Sequence, residues 1–240
     1  ATLGQQDLEN VAIKQPVGDS IPHLSAMKQV TGEAVYIDDL PPVANELHAG
    51  FVLSQRAHAV LKKVDATEAL QMPGVVDFVT YKDIPEGGSN IWNPPAMDET
   101  FFAEEKAYTV GQIIGVIVAD TKRNAQAAAH KVKIEYEDLP HILTIDEAIA
   151  AESFFKPRPV IHRGDSSEEG WAQYDHVLEG ETRMGGQEHF YLETNACLVI
   201  PGKEDSEIEV ISSTQNPSET QVFCASILGI PNNRVVTRVK

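Results

Sequence analysis

The chain has 240 residues, 36 acidic against 19 basic side chains, a formal charge of −17, 42% hydrophobic and 23% charged residues. That is the balance of an ordinary globular protein, long enough to bury a sizeable core in one or two domains. It argues against a nucleic-acid partner, because no basic stripe exists to neutralise phosphates, and against a membrane span, because the longest apolar run is Ile113–Ala119.

The first residues, ATLGQQDLEN, have neither the basic start nor the apolar stretch of a secretory leader. Residues 1–28 are polar and aperiodic, with Pro16, Gly18 and Pro22, and read as a linker or arm. Residues 31–42 (TGEAVYIDDLPP) read as a short extended segment ending in a turn, with Asp38 and Asp39 as turn acids. Residues 46–55 form an expected strand. Residues 60–74 read as strand, short helix and stop, with Asp65 and Thr67 as candidate caps, and 75–85 as a strand and turn.

Residues 111–120 (GQIIGVIVAD) are almost all apolar and β-branched, which predicts a strand covered on both faces. A helix capped by Thr121 follows, with Ala125, Ala127, Ala128 and Ala129 allowing close packing, and then a strand over 133–140. A short helix is expected over 146–155, a polar loop over 162–170, and two long strands over 174–202 around Gly185 and Gly186. Residues 207–214 alternate like a half-buried strand. Asn216, Pro217 and Glu219 then mark a helix start of capping-box type, with Val222, Phe223 and Ile227 as its apolar face and Gly229 and Pro231 as its end. The alternating residues 234–240 predict a last strand. No closing turn follows Lys240, which suggests a cut chain.

Chemistry-bearing residues are sparse. Cys197 and Cys224 are the only cysteines; they read as small buried hydrophobes, reduced as in a cytosolic protein, and cannot form a Cys-rich metal site. The eight histidines show no HExxH and no pairing on a helix face, and His189, beside Gln187 and Glu188, reads as a buried hydrogen-bonding residue. Gly186 before it reads as a bulge or a close backbone approach. No nucleophile elbow, phosphate loop or dinucleotide fingerprint is present.

The best candidate is Gln215, in a run of neutral hydrogen-bonding groups (Ser213, Thr214, Gln215) where a strand gives way to a helix. A neutral amide cannot act as acid or base, but it can hold an oxygen ligand or orient a substrate. From the residues alone, a polar turn with a helix cap explains the same run.

Several segments resemble the molybdenum hydroxylase family of xanthine dehydrogenases and aldehyde oxidases. TGEAVYIDD (31–39), SQRAHA (54–59), MPGVV (72–76), GQIIGVIVAD and IEYEDLP (134–140) are similar to its hammerhead domain. GGQEHFYLET (185–194), SSTQN (212–216) and IPNNRVVTRVK (230–240) are similar to the opening of its molybdopterin region. The resemblance runs from about residue 15 onward, and HFYLET is closer to the xanthine dehydrogenase form.

The resemblance implies an α+β chain: a linker or arm (1–28), a hammerhead-like α/β domain (29–142), and the truncated first part of a larger α+β molybdopterin-binding domain (143–240). It implies hydroxylation of a purine, hypoxanthine or xanthine, with water-derived oxygen. Molybdenum–molybdopterin would be the cofactor. In the full enzyme, electrons would leave through two 2Fe–2S clusters and FAD to NAD or O2. Gln215 would hydrogen-bond an oxo ligand of molybdenum without ligating the metal, and Pro95 and Glu219 would approach the substrate channel.

No catalytic residue is expected within the chain. The essential glutamate base, the substrate-holding arginine and the GGGFGGKE loop would all follow Lys240, so residues 1–240 alone should be inactive. The implied partners are the rest of the enzyme and a second copy in a homodimer, located in the cytoplasm or the peroxisome. The alternatives are an aldehyde oxidase segment and a hammerhead-fold binding module without catalysis.

Overall fold

The computed structural model describes residue 16 and residues 19–92, 99–155, 161–165, 167–202 and 207–240. Most of the expected arm falls outside these residues; at its end a one-and-a-half-turn helix, α1 (Ala26–Thr31), closes on Gly32. The segment at 31–42 forms no strand, but the turn expected at its end, with Asp38 and Asp39, forms as a 3-10 turn, Ile37–Asp39, where the Asp39 carboxylate accepts from the Tyr36 N–H at 3.0 Å.

Nine strands make three three-stranded sheets among the described residues. In the first, β5 (Ile113–Ala119) lies between β1 (His48–Leu53) and β3 (Val75–Val79), all antiparallel. In the second, β2 (Ala59–Asp65) lies between β4 (Lys106–Ala107) and β6 (Lys133–Asp138), again antiparallel. The helices α2 (Thr67–Leu70) and α3 (Lys122–Ala129) complete this half of the chain. Asp65 Oδ1 accepts from the Thr67 N–H at 3.0 Å, and Thr121 Oγ1 from the Asn124 N–H at 3.2 Å.

The segment β5–α3–β6 forms with nearly the expected boundaries, but its two strands enter different sheets. Periodicity identifies strands and says nothing about their partners; here β6 finds six partners along β2.

One core holds the two sheets together: Val52, Ile114 and Ile117 from the first sheet pack with Ala69, Ala128 and Ala129 of the helices. Leu61, Val64, Ile134 and Tyr136 of the second sheet close against them. Helix α3 lies directly on β1, where a Cβ added to Gly50 would stand 2.3 Å from the Ala125 carbonyl oxygen. Ala125, Ala128 and Ala129 are the buried face of that helix; Ala127 is exposed.

The expectation that β5 is covered on both faces is corrected. Ile117 is 0% exposed on the core face, whereas Val116 is only half-buried and pairs with Phe51, which is 57% exposed. Described residues cover one face of this sheet. A bulge between Val52 and Leu53 brings Ile114 into the core as well.

Between Asp138 and Cys197 the described residues hold only two short helices. Helix α4 (Ile145–Ala150) starts with a reciprocal cap: Thr144 Oγ1 accepts from the Glu147 N–H at 3.1 Å, and Glu147 Oε2 accepts from the Thr144 N–H at 3.0 Å. The loop expected at 162–170 turns into the short helix α5 (Glu168–Trp171). Two long strands were expected over 174–202, but only β7 (Cys197–Pro201) forms. Residues 175–192 are exposed and join no ladder with the described strands, although Arg183 pairs with Asp146 at 3.0 Å; a strand exists only where a ladder partner takes its backbone groups.

The third sheet has the order β7, β8 (Ile208–Ser212), β9 (Val235–Val239). β7 and β8 run antiparallel; β8 and β9 run parallel and are joined by α6 (Pro217–Leu228). Among the described residues this is the parallel strand–helix–strand crossover. Its core is Val210, Ala225 and Val235, with Ile208, Cys224 and Ile230 packed around them.

Candidate functional site

Gln215 occupies the bend between the end of β8 and the start of α6. The carboxyl end of a strand feeding a crossover helix is where α/β folds leave a crevice for ligands. Hydrogen-bonding capacity is distributed unequally around it.

Ser213 is committed to the backbone. Its hydroxyl accepts from the Ala196 N–H at 2.9 Å and lies 3.2 Å from the carbonyls of Thr194 and Ala196, donating to one at a time. It thereby fastens the end of the 185–194 segment to the end of β8. Thr214 Oγ1 accepts from the Asn216 N–H at 3.1 Å, and Asn216 Oδ1 accepts from the Glu219 N–H at 3.1 Å.

The expected capping box is therefore only half made. The Asn216 N–H goes to Thr214 rather than to the Glu219 side chain, whose carboxylate stays exposed in the first turn of α6, where the helix dipole favours an anion. The Gln215 side chain is exposed and makes no hydrogen bond to any described residue. Of the four polar side chains at 213–216, its amide alone keeps both donor and acceptor available. That is the chemistry needed to hold an oxygen atom of a bound group.

The opposite end of α6 meets the first half of the chain. The Ser89 N–H donates to the Ser226 carbonyl at 2.9 Å, and the rings of Trp92 and Phe223 lie 5.7 Å apart. A second tie joins the halves near the 185–194 segment, where Glu193 Oε1 accepts from the Ile37 N–H at 2.8 Å. Ala225 is the buried residue of α6, while Val222, expected on the apolar face, is 40% exposed.

Pro95 lies outside the described residues. His189, expected to be buried, is exposed, its ring 6.0 Å from that of Tyr191. A Cβ at Gly186 would meet nothing within 4 Å, so no close approach explains that glycine among the described residues. No group of three or more metal-binding side chains occurs among them either.

Cys224 is half-buried, but Cys197 is exposed, because β7 is an edge strand whose start the preceding residues leave uncovered. Desolvation nonetheless pushes both thiols above their ordinary range, with Cys224 adding to it at Cys197, so both are neutral and poorly nucleophilic near pH 7. Trp92 and Gly88 were missed in the sequence, although the adjacent Gly87–Gly88 pair is the kind of signal that marks a backbone approach.

Among the described residues no helix is long and apolar enough to cross a membrane. A family model for the aldehyde oxidase and xanthine dehydrogenase a/b hammerhead domain matches residues 31–140, and one for a molybdopterin cofactor-binding domain matches residues 151–240.

A xanthine dehydrogenase of Emericella nidulans is 52% identical over 241 residues, covering 100% of this chain and 18% of its own length. A nicotinate hydroxylase of the same organism is 46% identical over 242 residues, again covering 100% of this chain and 18% of its own length. The solved structure of the Desulfovibrio gigas aldehyde oxidoreductase matches with a TM-score of 0.78 and 28% identity, over 91% of this chain and 26% of that one.

The chain thus spans less than a fifth of the length of these two curated relatives. Hammerhead and cofactor-binding segments in this order, on this fold, make the chain a member of the aldehyde oxidase and xanthine dehydrogenase family.

Proposed function

We propose that this chain is the hammerhead domain (29–142) and the opening of the molybdopterin-binding domain (143–240) of an enzyme that oxidises hypoxanthine and xanthine with water-derived oxygen. The reading is supported by the free Gln215 amide at the end of β8, together with the 52% identity to a xanthine dehydrogenase.

The residues fit the cofactor. An amide with no partner among the described residues, fixed between a central strand and a capped helix, suits an oxygen atom carried by molybdenum. When bound, the molybdenum–molybdopterin supplies the two-electron oxidation of an electron-poor carbon.

Gln215 would donate a hydrogen bond to such an oxygen and orient it, and as a neutral amide it would exchange no proton. Glu219 presents its carboxylate at the first turn of α6; by the family resemblance it and Pro95, which lies outside the described residues, would approach the substrate channel. The glutamate base, the two 2Fe–2S clusters, FAD and the NAD or O2 acceptor belong to the rest of the enzyme, a cytoplasmic homodimer. A pyridine carboxylate is the second candidate substrate, favoured by the 46% identity to a nicotinate hydroxylase.

In the complete enzyme, Gln215→Ala should lower xanthine turnover by at least about tenfold, the lower range for losing a partner that orients a metal's ligand. Molybdenum content and thermal stability should be unchanged. Wild-type turnover in a fully loaded Gln215→Ala enzyme would sink the assignment. For the wild type, kcat/KM should be higher for xanthine than for nicotinate or an aldehyde, and the reverse order would reject the purine reading.

A further inference from the structure

Residues 87–92 grip the C-terminal half of α6 at three points. Two are the Ser89 N–H on the Ser226 carbonyl and the Trp92 ring on Phe223. The third is a backbone contact: a Cβ on Gly88 would stand 2.3 Å from the Ile227 carbonyl oxygen and 3.0 Å from that of Pro85. Gly229, the left-handed C-cap of α6, meets the same segment, since a Cβ on it would lie 2.8 Å from the Gly87 carbonyl carbon. All the atoms struck except Ile84 Cγ2, 2.7 Å from a Cβ on Gly88, are backbone, so they cannot swing aside as a long side chain would.

Glu219, Phe223 and Ile227 follow one another at four-residue spacing and share one face of α6. The face held by Trp92 at its middle and by Gly88 at its end therefore carries Glu219 at its start. Gln215 stands two residues before Pro217, the first residue of α6. The gripping segment is itself braced. Asn90 Nδ2 donates to the Phe102 carbonyl at 2.9 Å and to Glu104 Oε1 at 2.8 Å, Asn90 Oδ1 accepts from the Phe102 N–H at 2.9 Å, and Ile91 bridges Thr100. A push at this contact is transmitted to α6.

On its other side α6 is tied to its own sheet, with Ala225 in the core and Gln221 Nε2 donating to the Val235 carbonyl at 2.7 Å. A disturbed grip should therefore tilt the helix without unfolding it.

We infer that residues 87–92 are a positioning clamp, contributed by the hammerhead half, that sets where α6 begins and so where the Gln215 amide stands. Gly88 and Trp92 are its positioning residues. The functional part of this inference rests on the reading of Gln215 proposed above.

The test uses the complete enzyme with Gly88→Ala, Trp92→Ala, Trp92→Phe, Gln215→Ala and the Gly88→Ala/Gln215→Ala double variant. Gly88→Ala and Trp92→Ala should each lower kcat by roughly tenfold, within the range that a displacement of about 1 Å of a reacting geometry can cost. Molybdenum content should be unchanged and KM little altered. Hydrogen exchange at the amides of residues 218–221 should accelerate. Trp92→Phe keeps a ring on Phe223 and should recover most of the rate. The double variant should be no slower than Gln215→Ala, because the clamp acts through that amide.

Unaltered exchange at 218–221, or wild-type kcat in both single clamp variants while Gln215→Ala is impaired, would overturn the clamp. A double variant slowed by the full product of the two factors would overturn it too. Wild-type turnover in Gln215→Ala would instead remove the reading of Gln215 and leave the clamp to be decided by the exchange measurement.

Discussion

An aspartate at position 117 should prevent the hammerhead half from folding. Ile117 is 0% exposed on the central strand β5, and its core neighbours Val52, Ala69, Ala128 and Ala129 include no cation or hydrogen-bond donor for a carboxylate. An unpaired charge buried there costs roughly 4 kcal/mol or more, a large part of the about 5–15 kcal/mol that keeps a domain folded.

The adjacent Val116 lies on the opposite face, beside the largely exposed Phe51. A carboxylate there reaches water, and Val116→Asp should cost only about 1–2 kcal/mol through lost packing and strand preference. Soluble yield and thermal midpoint of the two variants in the complete enzyme decide the matter. Equal loss in both would show that the Val116 face is also covered.

Gly50→Ala should be the next most damaging change. Its new methyl would be driven to 2.3 Å from the Ala125 carbonyl oxygen and 2.5 Å from the carbonyl carbon, so α3 must lift from the sheet or β1 must bend. Overpacking of this kind costs about 1–3 kcal/mol, and a rigid helix backbone on the receiving side places it at the upper end. Since the struck atoms are main chain, Ala125→Gly should not rescue it, whereas a clash with the Ala125 methyl would be relieved by that second change. A thermal midpoint within a degree of wild type for Gly50→Ala would show that α3 has slack over β1.

At the candidate site, the features legible in the sequence are those with local causes. Asn216 caps α6 because its side chain reaches an amide three residues on, Pro217 fits the first helical position, and Gly229 adopts the left-handed turn that ends the helix. The same local chemistry makes Thr121 and Thr144 caps.

Which of the four polar residues at 213–216 stays free was not legible. It depends on Ser213 finding the backbone of residues 194 and 196, and on the Asn216 N–H choosing Thr214 over Glu219. The grip of Gly88, Ser89 and Trp92 on α6 joins residues more than 130 positions apart, and no spacing rule reaches that far.

The sequence by itself determined the existence and type of most elements, β1, β3, β5, α3, β8, α6 and β9 among them, because side-chain periodicity, β-branching and caps act within a few residues. It also determined the family, through motifs preserved in order. Only the tertiary structure decided which strands pair, which face of β5 is covered, and that residues 174–196 form no strand. Backbone hydrogen bonds across a sheet are chemically alike at every residue, so the choice of partner comes from the packing of the whole chain.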